Sequence, residues 1–483
     1  MTSSAEPFNQ QSCPSTEEFL AAKGQLQKCL EMLKAACNDN EKMASLLLFT
    51  HLMKNNESLA VDSGEVFRAI GPRFIVRLLN SKNVPDGCPK LMYKSLALSI
   101  LASFSSQDLL SEPLIVSSLF TVAEVLSLGD GIAEAPDLFK DAVKVLQIFS
   151  TTQDGCKHLL DNNCIPVVCQ ALVNDPEMNS LFEVLKGILL YLPLEAWGLC
   201  ESELNGLVGV LSKTFSECQD LEKFSTCDKL VVILSSLCEK HVEIENEKSK
   251  LSFEAAWMEN IRTGLRDILQ SRCKIAYKYS ALQLATGMIE LFGVEWCIAS
   301  DSTQLHMSNT KFWLILLSIA KTEVKIILES CDENEIEKKS AVMIACYRIF
   351  EKTIEFLIAD DKGGWSFNND LVLHLHGTLV DSFDCIIKFL IQLDASAKNN
   401  PEESTYFQKP IITATIRVLC AWLSEETNSL SDGVSKVLPI LITWAKASLE
   451  EDKNGKLNVT KVRVAKEENS KRSCRWGCYT VQC

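Results

Sequence analysis

Proline and glycine are scarce in this chain of 483 residues, which carries 13 and 20 of them. The proline share is about half of the usual ~5%. An all-β chain needs a turn every ten residues or so and cannot be built from so few turn formers. The first eleven residues lack both a basic cluster and an apolar run, so no signal peptide is expected. No run of 18 uninterrupted apolar residues occurs, and no membrane span is expected. The twenty cysteines are then expected to be free thiols of a reducing, intracellular compartment.

Catalytic and metal-binding patterns are also missing. The six histidines form no HExxH pair, and His374 and His376 stand two apart, on different faces of a helix. No CxxC occurs. The nearest grouping, Cys156, Cys164 and Cys169 with His158, lies in an apolar helical stretch where cysteine packs as a small hydrophobe. Gly129-Asp130-Gly131 lacks the further glycine and the Lys-Ser/Thr of a phosphate loop, and no GxSxG elbow is present. The acidic runs at 332–337 and 450–452 lack the spacing of a calcium loop and read as helix N-termini or solvated faces. No catalytic, cofactor or metal residue is assigned, and no cofactor is expected.

What the chain does have is helical periodicity. Hydrophobic residues make up 47%, and apolar positions recur at three- and four-residue spacing from Thr16 to about Leu449. Breaks fall at short polar clusters such as 37–40, 83–87, 129–131, 161–163 and 362–364, and 394–403 reads as a polar loop. Residues 97–106 align with 142–151 at an offset of 45 with coincident apolar positions. Residues 70–80 align with 164–174, their prolines Pro72 and Pro166 being 94 apart. Periods near 45 belong to armadillo and HEAT repeats. The expected fold is therefore all-α, an armadillo/HEAT-like helical solenoid over 16–455, between a disordered tail at 1–15 and a divergent end at 456–483.

Charge is uneven. Residues 456–483 hold seven basic and two acidic side chains, a net of +5, which leaves -20 on the rest of a chain at -15. So acidic a body disfavours nucleic acid and favours basic protein partners. The basic end, with Cys474 and Cys478 around Arg475 and Trp476, reads either as a peripheral membrane-association and lipidation segment or as a non-homologous end from an alternative exon or intron read-through.

Three strings carry a family resemblance. Pro85-Asp86-Gly87-Cys88-Pro89 follows Arg77-Leu78-Leu79. Lys311-Phe312 heads a helix through Glu323-Val324 to Leu328-Glu329. Ala421-Trp422-Leu423-Ser424-Glu425-Glu426-Thr427-Asn428-Ser429-Leu430 precedes Leu438-Pro439. In content, order and spacing they resemble the neurochondrin family from about Thr16 to Glu451. The resemblance implies a non-enzymatic, cytosolic, neuronal scaffold with an armadillo-like fold, active in signal transduction and neurite outgrowth. Implied partners are cytoplasmic segments of G-protein-coupled receptors, including metabotropic glutamate and melanin-concentrating hormone receptors. Implied too is negative regulation of calcium/calmodulin-dependent protein kinase II phosphorylation, at neuronal projections and at endosomal or postsynaptic membranes. The family's paired N-terminal cysteines, suited to palmitoylation, are replaced here by a lone Cys13, leaving Cys13, Cys474 and Cys478 as lipidation candidates. The resemblance stops near residue 452, short of the family's usual length. A solenoid ending there would bare the apolar face of its last repeat. The alternative on the same fold is an armadillo-type trafficking or transport adaptor, although the eight tryptophans show no fixed period.

Overall fold

The computed structural model describes residues 16–36, 38–55, 63–81, 88–128, 136–244, 255–298, 306–359, 369–399, 409–426 and 428–453. Among these residues there is no strand, and the fold is an all-α helical solenoid. The expected tails at 1–15 and 456–483, with Cys13, Cys474 and Cys478, lie outside the described residues. Two compact units divide the chain, 1–207 and 208–483.

In the first unit, α1 (Thr16–Ala35) packs on α2 (Asp39–Asn55), and three repeats follow. The first is α3 (Ser63–Ile70), α4 (Pro72–Asn80) and α5 (Met92–Leu101). The second is α6 (Ser106–Leu110), α7 (Pro113–Val116), α8 (Leu119–Ala123) with a 3-10 turn over Glu124–Ser127, and α9 (Pro136–Ser150). The third is α10 (Gln153–Asp161), α11 (Cys164–Asn174) and α12 (Asn179–Tyr191). Equivalent helices stack on one another: α5 on α9 on α12, and α4 on α8 on α11.

This stacking explains the internal alignments. Ala97, Leu98, Ile100, Leu101 and Phe104 are buried, and so are their partners 45 residues on, Ala142, Val143, Val145, Leu146 and Phe149. Each set faces the neighbouring repeat, so the same spacing must recur. The proline pair marks α4 and α11. Phe74, Ile75 and Leu78 are buried, as are Val168, Cys169 and Leu172. Pro72 opens α4 at its first turn, where no hydrogen bond is lost. The chain enters both helices through a left-handed residue, Gly71 at φ 82° and Asn163 at φ 56°, which are among the few residue types that tolerate it. Serine and threonine start other helices: Thr152 Oγ1 accepts from Gly155 N at 3.1 Å to begin α10.

After α13 (Pro193–Leu199), the division between units falls inside α14 (Glu201–Glu217). The second unit continues with α15 (Leu221–Ile244), α16 (Ala255–Gln270), α17 (Ile275–Phe292), α18 (Glu295–Ile298) and α19 (His306–Ser330). It ends with α20 (Glu333–Lys338), α21 (Ser340–Ile358), α22 (Asn369–Asn399), α23 (Pro410–Glu425) and α24 (Ser431–Lys453). These form two ladders. One runs α15, α17, α21, α23, and the other α16, α19, α22, α24, each helix packed on the next. Here the repeat is a two-helix, HEAT-like hairpin with helices of up to 31 residues. Its spacing is wider than the 45 residues read from the sequence, because the helices themselves are longer. The polar loop expected at 394–403 is helical through Asn399. Lys398 Nζ meets Asp394 Oδ2 at 2.6 Å, an i,i+4 pair that supports the last turn.

Candidate protein-binding surface

Along the ladder α15–α17–α21–α23, polar side chains bridge successive helices. Cys238 Sγ on α15 donates to the Gly287 carbonyl on α17 at 3.6 Å. Arg348 on α21 reaches back to Glu290 on α17 (3.4 Å) and along its own helix to Glu351 (3.0 Å). Glu351, 15% exposed, also accepts from Arg417 on α23 at 3.4 Å. One carboxylate thus joins two arginines on successive helices. Such half-buried pairs are worth only about 0.5–1 kcal/mol each, but as a network they fix the relative register of three helices. Ile344, 39% exposed, stands one turn before Arg348 on the same face of α21. This stripe of bridging side chains therefore offers an apolar contact flanked by oriented charges.

Buried polar bonds beneath it hold the same helices. Thr415 Oγ1 (α23) donates to the Tyr347 hydroxyl (α21) at 3.1 Å, and Thr286 Oγ1 (α17) to the Ala345 carbonyl (α21) at 3.0 Å. Trp313 Nε1 (α19) donates to Thr353 Oγ1 (α21) at 3.3 Å and links the two ladders. Burial pushes the Tyr347 hydroxyl pKa upward, so it remains a neutral hydrogen-bond partner.

The sequence-singled residues take structural places. Trp422, 2% exposed, stacks on Phe383 of α22 with ring centroids 4.7 Å apart. Glu426 accepts from the backbone N–H groups of Asn428 and Ser429, both at 3.0 Å, and pairs with His376 Nε2 at 2.7 Å. Those bonds lower its carboxyl pKa to about 2. Glu426, held by Asn428, Ser429 and His376, therefore stands where α23 ends, and Leu430 at φ 61° leads into α24. Asp332 in the acidic run 332–337 caps α20 through the Glu335 N–H at 2.8 Å.

Among the fifteen described cysteines none is disulfide-bonded, and nine are buried. Burial raises the thiol pKa of Cys156 to about 11 and of Cys164 to about 12. Cys156, Cys164, Cys169 and His158 do not converge. The single group of ligating atoms brought together among the described residues is Cys218, Asp220 and Glu222, within 4.8 Å of one another. Asp220 is exposed and Glu222 half-buried, and burial with the neighbouring carboxylates pushes the Cys218 thiol up, against metal binding. An open cleft of about 340 Å³ lies among Pro113, Val116, His158, Asp161 and Asn162. Ser117 lines it too, and its hydroxyl donates to the Leu114 carbonyl of its own helix at 3.0 Å.

Sequence reasoning missed the stripe. Glu290, Arg348, Glu351 and Arg417 are far apart in the chain and look like ordinary surface charges. The i,i+3 spacing of Arg348 and Glu351 is the one local signal. The membrane expectation can be examined directly: among the described residues no helix is long and apolar enough to cross a bilayer.

The sequence model of a family described as neurochondrin matches residues 22–469. The neurochondrin of Gallus gallus is 27% identical over 88% of this chain and 57% of its own length. That of Homo sapiens is 27% identical over 88% of this chain and 54% of its own length. The neurochondrin homolog of Drosophila melanogaster is 25% identical over 88% and 57%. The chain thus spans a little over half the length of these relatives.

Proposed function

We propose, from the premise that this chain belongs to the neurochondrin family, that it is a non-enzymatic scaffold that binds segments of other proteins along the α15–α17–α21–α23 ladder. The observation that carries this reading is the stripe itself, in which Glu290, Arg348, Glu351 and Arg417 hold helices in register around the exposed Ile344. A rigid ladder loses little freedom on binding, so an extended segment laid across it keeps most of its contact energy.

The family points to cytosolic, neuronal work. The partners are cytoplasmic segments of G-protein-coupled receptors, and a second task is restraint of calcium/calmodulin-dependent protein kinase II phosphorylation. The net charge of -15 favours basic segments, of the kind found beside membranes and in calmodulin targets. Pull-down of the full chain with receptor cytoplasmic segments, native and with their basic residues reversed to acidic, tests this. Binding lost on charge reversal supports the reading, and equal capture of both sinks it. In parallel, added chain lowers kinase phosphorylation in a purified assay; an unchanged level removes the kinase from the proposal.

A further inference from the structure

The corner between α19 and α21 brings a thiol and an amine into direct contact. Cys331 follows the last residue of α19, and its backbone N–H donates to the Ile327 carbonyl at 3.2 Å. Lys339 stands between α20 and α21, where its backbone N–H donates to the Glu335 carbonyl at 3.0 Å. Asp332 caps the short helix between them, and Ile336 of that helix is buried. Both ends of the corner are therefore held by their own backbone bonds. Across it, Lys339 Nζ donates to Cys331 Sγ at 3.0 Å. Two other half-buried thiols act as donors instead: Cys218 to the Glu222 carboxylate at 3.5 Å, and Cys273 to the Ile268 carbonyl at 3.7 Å.

The acids around the corner take partners of their own. Glu337 pairs with Lys409 at 3.2 Å, and Asp332 Oδ1 accepts from the Glu335 N–H at 2.8 Å. The buried Glu323 of α19 bonds to the Tyr279 hydroxyl of α17. Cys331 and Lys339 are both half-buried. A small solute reaches them, and their mutual geometry is kept by the packed corner.

We propose that Cys331 and Lys339 form an oxidative modification site, at which hydrogen peroxide joins Sγ to Nζ through one bridging oxygen atom. A thiolate is the nucleophile toward peroxide, and its first product is a sulfenic acid. The Cys331 sulfur attacks one peroxide oxygen. An S–O bond forms, the O–O bond breaks, and the departing hydroxide takes up a proton and leaves as water. The deprotonated Lys339 amine attacks a second peroxide in the same way, forming an N–O bond and releasing water. The resulting hydroxylamine oxygen displaces the hydroxyl of the sulfenic acid, and a third water leaves. Sulfur and nitrogen each give up two electrons, and the two peroxides accept them. An oxygen between the two atoms suits their 3.0 Å separation with little movement. A direct S–N bond requires the two side chains to close to covalent length. The bridge ties the end of α19 to the start of α21 across α20 and removes the Lys339 cation.

Mass spectrometry of the full chain, treated with hydrogen peroxide and digested without reductant, tests the site. The expected product joins the peptides that carry Cys331 and Lys339, with one oxygen gained and two hydrogens lost. Dithiothreitol applied before digestion returns both peptides to their native masses. Cys331→Ser and Lys339→Arg each abolish the product, the second while keeping the positive charge. Lys338→Arg, at the exposed neighbouring position, leaves it. Equal helical circular dichroism establishes that the three variants are folded. No joined peptide, a joined peptide without the added oxygen, or a product that survives Lys339→Arg overturns the proposal.

Discussion

Gly187 of α12 lies directly against the backbone of Ser150 in α9. A Cβ placed on Gly187 would stand 2.4 Å from the Ser150 carbonyl oxygen. The last helices of two successive repeats therefore meet backbone to side-chain-free backbone, and the spacing between α9 and α12 depends on that absence.

Gly187→Ala forces the two helices apart. The cost is about 1–3 kcal/mol, typical of over-packing, and exceeds any gain in helix propensity. It is measured as a fall in the midpoint of urea unfolding followed by circular dichroism. An unchanged or raised midpoint shows that the contact is not tight.

The charge stripe yields a second expectation. Glu351→Gln leaves Arg348 and Arg417 without their shared carboxylate and costs about 1 kcal/mol. Because Arg348 also meets Glu290, the double variant with Arg348→Gln is less destabilised than the sum of the single ones. A double-mutant cycle by chemical denaturation measures the difference. Strict additivity means the groups do not act together.

Acid sensitivity follows from Glu426. Its folded pKa of about 2 is depressed below the ordinary 4.5 by His376 and two backbone N–H donors. A depressed carboxyl contributes stability that is present above the unfolded pKa and is lost as pH falls through the folded one. The advantage of the native chain over Glu426→Gln is therefore full at pH 6 and shrinks between about pH 4.5 and 2. Urea midpoints of both proteins at pH 6, 5, 4 and 3 show the gap closing; a constant gap contradicts the assignment.

Cysteine reactivity separates positions cleanly. Cys88 is the exposed thiol among the described residues, whereas Cys164 and Cys346 are buried with raised pKa values. Brief alkylation of the native chain, read peptide by peptide in a mass spectrometer, modifies Cys88 roughly ten-fold or more faster than the other two. Equal rates before denaturation show that the cores are open.

Much of the first unit was legible in the sequence, and for a physical reason. Buried positions of stacked repeats face one another, so Ala97 to Phe104 and Ala142 to Phe149 had to share one pattern. Pro72 and Pro166 were legible as the openings of equivalent helices. The second unit was less so, because longer helices such as α22 stretch the repeat and erase a fixed offset. Close approach at Gly187 and the left-handed entries at Gly71 and Asn163 left no periodic trace. Side-chain networks such as Glu290–Arg348–Glu351–Arg417 depend on which helices become neighbours, which the chain order does not state.

The scaffold reading is tested most directly by a calorimetric binding isotherm of the full chain with a receptor cytoplasmic segment. Two variants are compared with the native chain. Ile344→Asp places a charge on the α15–α17–α21–α23 stripe, and Leu373→Asp places one on α22, where Leu373 is already 67% exposed. Binding that is weakened at least ten-fold by Ile344→Asp and left intact by Leu373→Asp is the predicted result. Equal affinity for all three proteins, or no binding by the native chain, contradicts it.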